Sequence, residues 1–224
     1  EFLKRQTVRD FTVPEDRVEV IPNFIDTSVY RPGLEPCHRE SLAPEGEKIV
    51  MHISNFRAVK RAEDVVSIFA RLNAKEPSVL VLIGDGPERP RVLLRADELG
   101  VRDRVLFLGK HTSVHELLSC ADLFLLPSAS ESFGLVALEA MACGAPVVAS
   151  NVGGLPEVID HGTTGYMFDV GDIEGMAEAG LRILGDDDHW RSLSEAGRVL
   201  AEERFSAAKV VPQYERYYEQ VLGR

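Results

Sequence analysis

From about residue 48 onward, short β-branched apolar runs alternate with stretches of helical periodicity, and this alternation limits what the chain can fold into more than any other feature. Near-continuous apolar runs are typical of strands buried on both faces, and parallel neighbours need the crossovers that the intervening helices supply. The pattern implies an α/β fold: a Rossmann-like parallel sheet with helices on both faces. Strands are placed at Ile49 to Ile53, Val79 to Ile83, Arg104 to Leu108, Leu123 to Leu126, Pro146 to Ala149 and Tyr166 to Phe168. Helices fall around Ala62 to Asn73, Arg89 to Leu99 with Pro90 in the first turn, Val114 to Cys120 capped by Ser113, Leu135 to Cys143 and Ile173 to Leu184. The tail from about Asp187 is helical to the end, and the helical spacing of Trp190, Leu193 and Ala196 is explained by packing.

Charge and composition narrow the classes of function. Of 224 residues, 45% are hydrophobic and 27% charged, the balance of an ordinary globular protein. With 25 Lys and Arg against 36 Asp and Glu the net charge is −11, which opposes contacts along a nucleic-acid backbone. No apolar run approaches the ~18 residues of a membrane span, and Glu1-Phe2-Leu3-Lys4-Arg5 does not resemble a signal peptide, so the expected location is cytoplasmic. Cys37, Cys120 and Cys143 are widely spaced and form no Cys-x-x-Cys, which fits reduced thiols better than disulfides or a zinc ribbon. The chain opens inside a helical pattern, as a piece of a longer protein would. Val18 to Asp26, with Pro22 and later Pro32, reads as an extended interdomain linker.

In an open parallel sheet, ligands bind outside the carboxyl ends of the strands where the strand order reverses. Five loops qualify: residues 54–61, 84–88, 109–111, 127–134 and 150–157, all opening onto one edge. Two carry glycines and lead toward helices at Gly134 and Pro156, and bare helix N-termini favour anions through oriented N–H groups and the macrodipole. Arg57, Lys60 and Arg61 add positive charge to an otherwise acidic chain. A phosphate or diphosphate suits such an edge; the alternative is turn glycines beside a solvated basic face.

Glu139 stands in Leu135-Val136-Ala137-Leu138-Glu139-Ala140-Met141-Ala142-Cys143, apolar on nearly every side, where a carboxylate needs a partner or a ligand. Glu131 lies eight residues earlier, ~12 Å at most at helical rise, so the two carboxylates can bracket a phosphate at the helix N-terminus. A ribose, a diphosphate and a hexose match that ruler. The alternative pairs Glu139 with an Arg or Lys and leaves Glu131 an exposed loop acid. Weaker signals point elsewhere. Gly84-x-Gly86 lacks the third glycine of a dinucleotide fingerprint, and His111 with His115 lacks a third metal ligand.

At Glu131, Phe133, Gly134 and Glu139 the Glu-x7-Glu arrangement resembles that of retaining glycosyltransferases of family 4, which have the two-domain GT-B architecture. Ile21-Pro22-Asn23, Gly84-Asp85-Gly86-Pro87-Glu88, Phe107-Leu108-Gly109, Gly153-Gly154-Leu155-Pro156-Glu157 and Gly162-x-x-Gly165-Tyr166 are similar to the family's landmarks in the same order. His52-Ile53-Ser54-Asn55-Phe56-Arg57, followed by Val59-Lys60-Arg61, resembles the branch that begins bacillithiol synthesis. That resemblance implies transfer of N-acetylglucosamine from UDP-N-acetylglucosamine to L-malate, with no metal or other cofactor. It implies that Arg57 and Lys60 hold the diphosphate and assist its departure, Glu139 the ribose hydroxyls, and Glu131 the hexose. The backbone of Phe133, Gly134 and Leu135 would approach the distal phosphate and sugar, and the loop with Lys110 would meet uracil.

The same resemblance divides the chain into 1–23, the end of an otherwise absent N-terminal domain that would supply the malate site; 24–205, the donor-binding domain; and 206–224, a helix crossing back. An apolar face at Val211, Tyr214, Tyr218 and Val221 is then left uncovered and favours self-association into a homo-oligomer. Competing expectations are a mycothiol-type or cell-envelope transferase of the family, and a nucleotide-sugar binding module without catalysis. A nicotinamide-dependent oxidoreductase ranks third, for its fingerprint is missing.

Overall fold

In a computed structural model, residues 1–35 and 38–223 are described, so Cys37 lies outside the described residues. The amino-terminal helix α1 (Phe2–Phe11) buries none of its residues, and a single turn, α2 (Arg39–Leu42), precedes the sheet. Then come β1 (Lys48–Ile53), α3 (Ala62–Asn73), β2 (Ser78–Ile83), α4 (Arg89–Glu98), β3 (Val105–Gly109), α5 (His115–Leu118), β4 (Leu123–Leu126) and α6 (Leu135–Ala142). β5 (Val147–Ser150) and β6 (Gly165–Phe168) complete the sheet, and α7 (Ile173–Leu184), α8 (Asp187–Phe205) and α9 (Ala207–Leu222) close the chain.

The six strands are parallel in the order β3-β2-β1-β4-β5-β6. The order reverses between β1 and β4. β1 pairs with β2 along its whole length, from Lys48 with Ser78 to Ile53 with Ile83, but with β4 only at Val50 and Met51. The carboxyl ends of β1 and β4 therefore part into a crevice, the usual ligand position in such sheets.

Alternating strand residues enter two separate cores. Met51, Val81, Phe124 and Val147 pack with Leu138 and Met141 of α6 and with Leu200 and Phe205 of α8. On the other face Val50, Leu80, Leu125 and Val148 pack with Val65 and Phe69 of α3, Val92 of α4 and Ile183 of α7. Burying such a side chain is worth ~1.5–3 kcal/mol each, which fixes the strand register and hence the loops.

Three local expectations are corrected. Helix α5 is only His115–Leu118; Ser113 does not cap it, because its hydroxyl is engaged by the His115 ring at 2.9 Å. The strand placed from Pro146 starts at Val147, since proline has no N–H to donate, although its carbonyl accepts from Phe124 at 2.9 Å. The tail is broken at Ser206 (φ −69°, ψ 148°), where Ile25 of the linker takes over the backbone hydrogen bonds. Trp190 packs as anticipated, its indole N–H donating to the Asp122 carbonyl at 2.8 Å. Among the described residues no helix is long and apolar enough to cross a membrane.

Candidate functional site

The loop after β1 is shaped by a buried polar chain. The Leu125 carbonyl can only accept, so the His52 ring donates to it from Nδ1 at 2.8 Å. Nε2 then accepts from the Ser54 hydroxyl at 2.9 Å, and Ser54 Oγ accepts the Phe56 N–H at 3.2 Å. Burial pushes His52 down to about 4, so the ring stays neutral. Phe56 is fully buried at φ 39°, in the left-handed region that non-glycine residues avoid, with its ring stacked on His52. The chain emerges from this anchor at exposed Arg57, whose carbonyl accepts the Lys60 N–H at 2.8 Å and whose side chain has no hydrogen-bond or ion-pair partner among the described residues.

Lys60 points back across the crevice. Its ammonium lies 2.6 Å from Glu131 Oε1, with the two side chains 22% and 10% exposed. Arg61, the third cation of the loop, is instead bound to Asp64 at 2.6 Å.

The glycines serve close approach between loops. A Cβ on Gly84 would stand 1.8 Å from the Ser54 carbonyl oxygen, and one on Gly86 1.9 Å from that of Asn55. This accounts for Gly84-x-Gly86 without a dinucleotide. In the same way a Cβ on Gly153 would stand 1.7 Å from the Glu131 carbonyl oxygen, to which the Gly154 N–H donates at 3.0 Å. The loop after β5 thus fixes the backbone that carries Glu131.

Gly134, at φ 92°, is the N-cap of α6, and no side chain caps the helix. The N–H groups of Leu135 and Val136 are open to an anion, while that of Ala137 donates to the Gly134 carbonyl at 2.9 Å. The second helix N-terminus, expected at Pro156, is not formed: Leu155–Glu157 is one 3-10 turn, too short to carry a macrodipole. Leu135 is exposed at the start of α6, and the Phe133 ring turns away onto Phe205 at 5.6 Å, leaving Phe133 its backbone to offer a ligand.

Glu139, farther along α6, is half-buried, and burial pushes its carboxyl up. The Tyr30 side chain lies near it, and no Arg or Lys pairs with it among the described residues. Glu131 is likewise no exposed loop acid, because Lys60 holds it. Lys110 stands apart, exposed beyond Gly109 on β3, two strands out from β1. Sequence reasoning missed His52 and Tyr30. A lone polar residue near the end of an apolar strand is the signal that marks His52, and nothing local marks Tyr30. A cavity of about 540 Å³ lies to one side of this edge, between α1, the linker, Ser132 and Phe133, and Arg57, Lys60, Glu131 and Glu139 do not line it.

A Rossmann-like sheet thus carries an uncapped helix, a basic loop and two carboxylates at the edge where its strand order reverses, a setting suited to anions. Residues 35–200 match the family of glycosyl transferases group 1. An N-acetyl-alpha-D-glucosaminyl L-malate synthase of Bacillus anthracis is 47% identical over 210 residues, 93% of this chain and 55% of its own length. A D-inositol 3-phosphate glycosyltransferase of Mycolicibacterium smegmatis is 36% identical over 98% of this chain and 51% of its own. The crystal structure of Anabaena HepE in complex with UDP superposes with a TM-score of 0.89 over 96% of this chain and 61% of that one, at 24% identity, a likeness of fold. The chain belongs to the group 1 glycosyl transferases, and it spans about half the length of the curated relatives it matches.

Proposed function

We propose that residues 24–205 form the donor half of a cytoplasmic, retaining glycosyltransferase that moves N-acetylglucosamine from UDP-N-acetylglucosamine to L-malate. The observation that carries this reading is Lys60 meeting Glu131 beside the open N-terminus of α6, with Glu139 farther along the same helix. Arg57, Lys60 and the α6 amides receive the diphosphate and stabilise the negative charge that develops on it as the sugar C1–O bond breaks. Glu139 accepts the ribose hydroxyls, Glu131 the hexose hydroxyls, and the loop with Lys110 meets the base. The relative that is 47% identical supports this donor and acceptor pair.

The malate site belongs to an N-terminal domain of which residues 1–23 are the end, and 206–224 cross back to it. Tyr218 and Val221 of α9 are 60% and 67% exposed, while Tyr214 already packs on Phe24 of the linker. A second reading, transfer to an inositol phosphate, is favoured by the 36% relative, and acceptor assays on the full-length protein separate the two.

Calorimetry on this chain tests the donor site: UDP and UDP-N-acetylglucosamine should bind and NAD should not. No heat with UDP at millimolar concentration, or equal affinity for NAD, would sink the site assignment.

A further inference from the structure

The crevice where the strand order reverses has two walls, the loop of residues 54–61 after β1 and the loop of residues 127–134 after β4. The backbone ladder between these strands ends at Met51 and Phe124, and the next residue of β1 is His52, fully buried. Its ring carries the connection on where the backbone stops, for Nδ1 donates to the Leu125 carbonyl of β4 at 2.8 Å. Farther along the two loops the Ala129 N–H donates to the Val59 carbonyl at 2.8 Å, and Lys60 meets Glu131 at 2.6 Å. The walls are thus tied at three successive points, of which His52 is the first.

The other ring nitrogen governs the basic loop. Ser54 donates its hydroxyl to Nε2 at 2.9 Å, and its oxygen takes the Phe56 N–H at 3.2 Å. That second bond falls where the chain turns through φ 39°, a conformation a phenylalanine avoids unless it is held there. The Phe56 ring stacks on His52, centroids 6.3 Å apart, and its carbonyl accepts the Glu88 N–H at 2.9 Å. Arg57 and Lys60 follow directly from this turn. The relay needs a neutral ring, because a protonated Nε2 has no lone pair for Ser54. Burial keeps the ring neutral, with the charges of Lys60 and Glu131 acting on it in opposite directions.

We infer that His52 is a positioning residue for donor binding: one ring nitrogen ties the two walls of the crevice, and the other, through Ser54 and the Phe56 amide, sets the turn that presents Arg57 and Lys60. The inference rests on those two cations holding the donor diphosphate. Its burial keeps His52 itself away from a ligand, so it acts through the groups it holds. A loop fixed before binding spares the ligand the cost of ordering it.

The test is calorimetry with UDP and with inorganic diphosphate on the chain, Ser54→Ala, His52→Asn, the double variant and Lys60→Met, together with amide hydrogen exchange of the unliganded proteins. Asparagine keeps a donor at the place of Nδ1 and has no atom that reaches Ser54. Ser54→Ala and His52→Asn should each weaken both ligands by roughly 5- to 10-fold, the loss of one hydrogen bond. The double variant should lie within about twofold of the weaker single one, because both changes break the same relay. Amides of residues 56–61 should exchange about tenfold faster in Ser54→Ala, while those of Val50 and Met51 keep their rates. Ser54→Ala decides the question if His52→Asn does not fold: unchanged diphosphate affinity there, with Lys60→Met impaired, overturns the inference alone. Losses that add in the double variant, or faster exchange throughout β1 and β4, make the two residues structural and overturn it too. Unimpaired diphosphate binding by Lys60→Met overturns the diphosphate assignment beneath it.

Discussion

Lys60 and Glu131, on loops after different strands, form a 2.6 Å ion pair across the crevice between β1 and β4. Both side chains are mostly withdrawn from water, so each fixes the position of the other. Under the proposed donor-site reading, binding exchanges this pair for ligand contacts, Lys60 turning to phosphate and Glu131 to sugar hydroxyls.

That exchange gives the two residues opposite mutant signatures. Glu131→Gln should tighten inorganic diphosphate by about fivefold, since Lys60 no longer has an internal carboxylate worth ~1 kcal/mol. It should also reduce the preference for UDP-N-acetylglucosamine over UDP. Lys60→Met should weaken both nucleotides and diphosphate by tenfold or more, in line with ~1.5–3 kcal/mol for a charged hydrogen bond. Calorimetry with the three ligands checks this, and equal diphosphate affinity in all three proteins would remove Lys60 from the phosphate site.

Gly153→Ala should cost far more stability than Gly162→Ala. Both glycines have positive φ, 59° and 80°, and an alanine there costs ~1–2 kcal/mol. Only at Gly153 does the new Cβ meet backbone, 1.7 Å from the Glu131 carbonyl oxygen, whereas nothing lies within 4 Å at Gly162. Urea unfolding of the two variants measures the difference. Equal losses would show that conformation alone, not the contact with the Glu131 loop, requires glycine at 153.

His52 should make folding sensitive to acid. Its folded-state value is lowered from 6.5 to about 4, mainly by burial, so below pH 6.5 the unfolded chain binds a proton that the folded one refuses. Its contribution is complete above pH 6.5, falls by up to ~1.4 kcal/mol per pH unit as pH drops toward 4, and flattens below. Glu139, with a raised carboxyl, contributes with the opposite sign. Subtracting the stability of His52→Gln from wild type at each pH isolates the His52 part. A flat difference between pH 6.5 and 4 would mean that the ring is charged in the folded state.

Residues 1–224 alone should bind the donor and yet release no UDP in a malate-dependent manner. Transfer needs both substrates in near-attack geometry, a positioning effect that can supply ~7–11 kcal/mol of the barrier, and the proposal places the malate groups outside this chain. Coupled detection of UDP with and without malate, repeated on the full-length protein, measures both halves of the claim. Robust turnover by residues 1–224 would place an acceptor site within them.

Much of the architecture was legible in local pattern. Ala62–Asn73, Leu123–Leu126 and Ile173–Leu184 fall where periodicity puts them, because each is a complete amphipathic or fully buried element whose ends are marked by a change of composition. The failures occur where another segment or a neighbouring side chain takes up the hydrogen bonds. The α8–α9 break exists because Ile25 satisfies it, and Ser113 is no cap because His115 engages its hydroxyl.

The candidate residues Arg57, Lys60, Glu131 and Glu139 were legible as chemistry, as charged groups placed in loops and an apolar helix that do not otherwise need them. Their partners were not. Lys60 and Glu131 are 71 positions apart. The amino-acid sequence by itself determined a parallel sheet with helices on both faces, since strand and helix periods are properties of neighbouring residues. Which loops meet was decided only by the strand order β3-β2-β1-β4-β5-β6, which sets β1 beside β4 and brings Lys60 to Glu131. That order arises from packing two cores against one twisted sheet, a contest among distant segments that local spacing does not record.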